Sequence, residues 1–104
     1  MTAKTFGFYG ENYATNLLLK SGYKILERNF RAKFGEIDIV ALIDGVLIFV
    51  EVKARKSRKY GRPEEAVTPY KIGKIARVGQ LYSKLHPELP KKLRIDVVAI
   101  EVSF

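Results

Sequence analysis

The 104-residue chain contains no cysteine. Disulfides, thiolate nucleophiles and cysteine zinc sites are therefore excluded, and no oxidising compartment is needed. Long apolar runs are missing too. The longest, such as 46–50, are far too short to cross a bilayer. The first residues hold no apolar run beside a basic one, so neither a membrane span nor a signal peptide is expected, and the cytoplasm is the expected location. The chain carries no glycine-rich phosphate loop and no nucleophilic triad. Acid is scarce relative to base: eleven Asp and Glu stand against nineteen Lys and Arg, a net charge of +8. A field of that size attracts polyanions, and nucleic acid is the commonest of these. A basic protein with no such partner is the alternative on charge alone.

What is present is enough to fold. Hydrophobic residues make up 47% of the chain, and its length suits one domain spanning 1–104. Ala14, Leu17, Leu18 and Ser21 recur at helical spacing and predict a helix over 6–21, stopped by Gly22. A strand is expected over 24–30, then a turn at 33–35. Two apolar runs, 36–43 and 46–53, flank Asp44-Gly45, a strong hairpin signal because a type I′ turn needs positive φ at both central residues. Between Lys53 and Arg62 the composition turns basic, and Gly61 and Pro63 mark a loop. Thr68 as N-cap with Pro69 behind it starts a second helix, with Ile72, Ile75, Ala76, Gly79 and Tyr82 as its inner face. His86-Pro87 and Pro90 end it, and a last strand is expected over 93–102. The order α-β-β-β-α-β predicts an α/β fold: a central mixed sheet flanked by helices, with the hairpin near its middle.

The hairpin also sets a register. A two-residue loop at Asp44-Gly45 places Ile43 against Val46, and counting back puts Asp38 across from Glu51 and Glu36 across from Lys53. Side chains alternate along a strand, so these four are expected on one face. Opposed carboxylates in apolar strands destabilise the pair, and unpaired buried charge is costly. A divalent cation would compensate directly, since Mg²⁺ is typically held by one or two carboxylates, waters and substrate phosphate. Lys53 on the same face could neutralise charge developing on phosphorus or orient a water. The plainer alternative is an ion cluster in which Lys53 pairs with Glu36 and Glu51.

Gly35-Glu36-Ile37-Asp38 followed by Phe49-Val50-Glu51-Val52-Lys53 resembles the PD-(D/E)xK motif of restriction-endonuclease-like nucleases, with Ile37 where that motif has proline. The spacing of thirteen from Asp38 to Glu51 is similar to that of archaeal Holliday-junction resolvases. The wider pattern resembles the uncharacterised YraN-like bacterial family of the same superfamily. It runs through Gly10-Glu11, Asn29-Phe30-Arg31, Gly35 to Asp38, Val50 to Lys53, Glu65-Ala66-Val67 and Arg94 to Ala99, nearly the whole chain. The resemblance implies a restriction-endonuclease-like fold and Mg²⁺ or Mn²⁺ as cofactor. It makes Asp38 and Glu51 the metal ligands, with the Val52 carbonyl as a third. Lys53 becomes the catalytic lysine, and Glu11 the first-helix acid that assists at the metal.

The resulting expectation is a Mg²⁺-dependent deoxyribonuclease, an endonuclease acting on DNA, with branched and single-stranded forms among its candidate substrates. Water would attack in line, activated by the metal and Lys53. Arg55, Lys56, Arg58, Lys59 and Arg62 of the basic loop are the candidate phosphate contacts, with a solubilising loop as the bland alternative. Tyr60 is a candidate for base stacking. Lys71, Lys74 and Arg77 read as a solvated helix face, Gln80 as a weak site candidate, His86 as a helix-end residue, and Asp96 as a partner of Arg94. A homodimer is expected, since open sheets often pair to bury an edge and the resolvase-like proteins act as dimers. Two other functions fit the sequence: a non-catalytic module that keeps the fold and binds DNA or RNA, and an interaction protein whose charge is incidental.

Overall fold

In the computed structural model, Asp44 and Gly45 have φ of 50° and 74°, as a type I′ turn requires. They join β2 (Gly35–Ile43) to β3 (Val46–Arg55) in the expected register, with Ile43 against Val46 and Ile39 against Val50. The structure describes residues 3–55 and 67–101. Around the hairpin stand α1 (Ala3–Lys20), β1 (Lys24–Ala32), α2 (Pro69–Leu85) and β4 (Leu93–Glu101). The order is α-β-β-β-α-β, and the sheet order is β1-β2-β3-β4. β4 runs parallel to β3 and the other pairs are antiparallel, so the sheet is mixed with the hairpin at its centre.

Both faces of the hairpin are buried, which is why its strands read as nearly continuous apolar runs rather than alternating ones. Ile39, Ala41, Val46, Ile48 and Val50 pack beneath Ala14 and Leu18 of α1. Val40, Leu47 and Phe49 pack beneath Ile75, Val78 and Tyr82 of α2. Thr68 caps α2 as expected, its Oγ1 accepting from the Lys71 N–H at 3.3 Å. Some details differ from the helical patterns: Ser21 lies past the end of α1. Val78 joins the inner face of α2, and Leu17 of α1 is 46% exposed. The buried stripe of α1 follows Gly10, Ala14 and Leu18 at four-residue spacing, which turns Leu17 aside.

Two glycines let the helices lie close. A Cβ on Gly10 would meet the Ala54 Cβ at 2.8 Å, and one on Gly79 would meet two Phe49 ring carbons at 2.6 Å. Phe49 is only 1% exposed and cannot swing away. Gly79→Ala should therefore destabilise the fold by about 1–3 kcal/mol, despite alanine's better helix propensity. Gly73 lies in the same helix with nothing within 4 Å of its added Cβ. Gly73→Ala should stabilise by roughly 0.5–1 kcal/mol. Urea denaturation of both variants checks the opposite signs; a stabilised Gly79→Ala would mean that α2 is not seated on Phe49.

Candidate active site

Hydrogen-bonded pairing between β2 and β3 stops at Ile39 and Val50. Beyond that point β2 stays with β1, pairing Ile37 with Phe30 and Glu36 with Arg31, while β3 stays with β4, from Glu51 against Val97 to Arg55 against Glu101. The sheet forks, and the candidate residues sit on the two prongs. The register expectation puts Asp38 directly across from Glu51, one step past the last ladder pair, and there the two strands no longer pair. Asp38 fills the fork instead: its Oδ2 accepts the Val52 N–H at 2.7 Å, satisfying a donor that the missing ladder would leave open.

The alternation of side chains breaks at the same level. Arg28 of β1 reaches Glu11 on α1, whereas Phe30, two residues on, packs edge-to-face on Tyr82 of α2 at 4.9 Å. Asn29 between them has φ 55°, a left-handed conformation that asparagine tolerates better than most residues. On β2, Ile37 joins the α2-side core and Ile39 the α1-side core. Asp38 therefore lies where the sheet twists sharply, and the expectation of one shared face holds only in part. Glu36, Glu51 and Lys53 line an open pocket of about 150 Å³ with Gly35, Lys71, Lys74 and Ile75; Asp38 is set back in the fork and does not line it.

The electrostatics match this setting. Burial pushes the Asp38 carboxyl up to about 7; the Val52 N–H opposes the rise, and the negative charges of Glu51, Glu11 and Glu36 add to it. Burial also raises Glu51, against the pull of Lys53 and Lys71. Lys53 Nζ lies 3.6 Å from Glu51 Oε1, whereas Glu36 pairs with Arg31 at 3.2 Å. Of the two acids that could have claimed Lys53, Glu51 has it.

Glu11 is held differently from its expected role. Its Oε1 accepts from Arg28 Nε at 3.0 Å and from Asn29 Nδ2 at 2.9 Å. Arg28 Nη2 lies 3.0 Å from the same oxygen without hydrogen-bond alignment, a charge contact that leaves this nitrogen unbonded. Glu11 thus stands within electrostatic range of Asp38 but is turned toward β1. Among the described residues, no three His, Asp or Glu side chains gather closely enough to hold a metal. The donors that could share one ion are Asp38, Glu51 and the Val52 carbonyl. That set fits Mg²⁺, which usually keeps several waters.

Other sequence candidates fall elsewhere. Arg55 is a strand residue opposite Glu101 rather than a loop residue, because β3 runs two residues past Lys53. Lys56, Arg58, Lys59, Arg62, Tyr60, Glu65 and Ala66 lie outside the described residues. Asp96 is held by Arg94 through two contacts of 2.8 Å, as expected. Gln80 lines a separate pocket with Phe49, Ala76, Leu93, Arg94 and Ile95. His86 caps α2 and stacks on Tyr82 with ring centroids 4.2 Å apart. Lys71 and Lys74, expected as part of a solvated helix face, line the pocket of Glu51 and Lys53. Each stands one position before an inward-facing isoleucine, Ile72 or Ile75, so helical spacing alone puts them at the rim of the buried face.

Fold and site together define a small basic α/β domain with an acid-and-lysine cluster at a fork in its sheet. Residues 10–100 match the family described as "Uncharacterised protein family UPF0102", and the chain belongs to that family. The match opens on Gly10 and closes one residue past Ala99, the span of the sequence pattern set out above. A UPF0102 protein of Syntrophomonas wolfei is 48% identical over 99 residues, covering 95% of this chain and 86% of that one. UPF0102 proteins of Clostridium perfringens and Persephonella marina are each 44% identical, covering 97% and 90% of this chain and 81% of theirs. Among the described residues no helix is long and apolar enough to cross a membrane.

Proposed function

We propose that this protein is a metal-dependent phosphodiesterase acting on DNA, a member of the restriction-endonuclease-like nucleases. The observation that carries the reading is the fork: two half-buried carboxylates with raised pKa values meet there, and a lysine stands 3.6 Å from one of them. Such an arrangement is costly without a ligand, and perturbed groups of this kind cluster at functional sites. Asp38 and Glu51 would hold Mg²⁺ or Mn²⁺, with the Val52 carbonyl as third donor; Glu11 would assist from α1 through its negative charge alone, its carboxylate staying with Arg28 and Asn29. When bound, the ion supplies Lewis-acid polarisation of a phosphoryl oxygen and a more acidic water.

The chain's own residues do the rest. The Val52 N–H aims the Asp38 carboxylate into the fork. Lys53 keeps Glu51 more acidic than burial alone would allow, and its ammonium is placed to neutralise charge developing on the phosphate or to orient the attacking water. The +8 net charge draws the polyanion in. The homodimer and the cytoplasmic location expected from the sequence belong to the same reading.

The test is incubation with plasmid, single-stranded and four-way-junction DNA, with and without Mn²⁺. Metal-dependent cleavage of at least one substrate, lost in Asp38→Asn, is the expected result. Cleavage that survives both Asp38→Asn and Lys53→Ala would place the chemistry elsewhere. Salt-dependent binding with no cleavage under any metal would favour a nucleic-acid-binding module that keeps the fold.

A further inference from the structure

Lys71 and Lys74 belong to the same pocket as Glu51 and Lys53, although they come from a different layer of the fold. Thr68 and Pro69 start α2 at a defined residue, so these lysines occupy its first two turns. At a spacing of three they are neighbours on one helix face, with Cβ atoms roughly 5–6 Å apart. Gly35 lets that face approach the prong carrying Asp38: a Cβ there would meet Val78 Cγ2 at 3.2 Å and Lys74 Cβ at 3.9 Å. Lys71 is close enough to lower the pKa of Glu51. Lys74 Nζ lies 4.9 Å from the Tyr70 ring centroid, a cation–π contact.

Three cations thus line a pocket that holds two acids. Glu36 is occupied by Arg31, and Lys53 takes Glu51. The wall on the α2 side is basic, and both of its lysines are exposed at the pocket. We infer that Lys71 and Lys74 form a phosphate-binding subsite that seats the nucleic-acid backbone beside the reacting phosphodiester. This rests on the nuclease reading of the fork. Lysine meets phosphate as a point charge and carries no base information, so the subsite contributes affinity and register without sequence preference. It also makes α2 a wall of the substrate path.

Binding of a short fluorescein-labelled single strand, followed by anisotropy across a salt series, tests this. The Asp38→Asn background keeps the strand intact. Adding Lys71→Ala and Lys74→Ala should weaken binding by about tenfold and lower the salt slope by about 1.4, two single-strand phosphate contacts at roughly 0.7 each. Arginine at both positions should restore the slope. Lys91→Ala with Lys92→Ala removes the same charge at the hairpin end of the sheet, where Lys92 accepts from the Leu47 N–H through its backbone carbonyl. That pair should leave the slope near its starting value. An unchanged slope in the Lys71/Lys74 pair, or an equal drop in the Lys91/Lys92 pair, overturns the subsite and leaves the nuclease reading standing. Absence of any binding before the lysines are changed overturns both. Circular dichroism melts show that each variant is folded when its binding is read.

Discussion

Asp38→Asn is expected to make the metal-free protein more stable near pH 7 while removing its response to Mn²⁺. In the fold, burial and three neighbouring acids keep the Asp38 carboxyl protonated up to about pH 7, whereas in the unfolded chain it ionises near pH 3.9. Between those values the folded state holds the extra proton. Stability therefore falls as pH climbs from about 4 to about 7 and levels off above. Asparagine cannot ionise, and its carbonyl oxygen can still accept the Val52 N–H, so this part of the pH dependence should disappear. The gain at pH 7, discounted for partial exposure, is on the order of 2–3 kcal/mol. That corresponds to a rise in Tm on the order of 10 °C for a domain of this size. Little difference is expected at pH 4.

Metal binding should show the opposite pattern. Ligand carboxylates must be deprotonated, so Mn²⁺ displaces the Asp38 proton below pH 7 and binds more tightly as pH rises. Losing one of two carboxylate ligands should weaken binding by more than about 100-fold, since even indirect partners of a ligand are worth 10–100-fold. Thermal melts and calorimetric Mn²⁺ titrations at pH 4, 6 and 7.5 give both readouts. A variant no more stable than the parent at pH 7 would mean that burial does not raise the Asp38 pKa, and one that still binds Mn²⁺ normally would mean that the fork is not the ion site.

Lys53→Ala is expected to cut the single-turnover cleavage rate by about 10²–10³, the usual cost of removing a group that stabilises transition-state charge. Its effect on metal binding should depend on pH. Burial already raises the Glu51 pKa, and Lys53 is the largest influence holding it down. Without Lys53, Glu51 holds its proton to higher pH. Mn²⁺ affinity should therefore fall more at the acid end of a pH series than at the alkaline end, while cleavage stays slow throughout. A Lys53→Ala protein that cleaves normally once saturated with Mn²⁺ would show that Lys53 is only the ion-pair partner of Glu51.

Much of the framework is legible because it is local. Asp44-Gly45 specifies a turn through its own backbone preferences, and that turn sets the hairpin register through Ile39 and Val50. Thr68-Pro69 specifies the start of α2 in the same way. The apolar runs around the turn announce strands covered on both faces, and hence helices on each side of the sheet. Asp38, Glu51 and Lys53 stand out because charge is rare in such strands.

The fork is not legible in that way. Whether β2 keeps β3 or β1 past Ile39 depends on which neighbour gives each strand the better ladder, and no run of residues states that choice. Asn29 shows how the outcome hangs on one backbone conformation, since it sends Arg28 to Glu11 and Phe30 to Tyr82 from a single strand. Glu11 was readable as a residue at the edge of a buried helix face, but its partners come from 17 and 18 positions away. Lys71 and Lys74 looked like a solvated face because only the seating of Gly79 on Phe49 brings α2 over the pocket. Element order, hairpin register and the acid-lysine trio thus follow from backbone preference and hydrophobic spacing, which act over a few residues. The fork, the choice of partner for each charge and the two added lysines follow from packing between distant segments, which short-range rules do not encode.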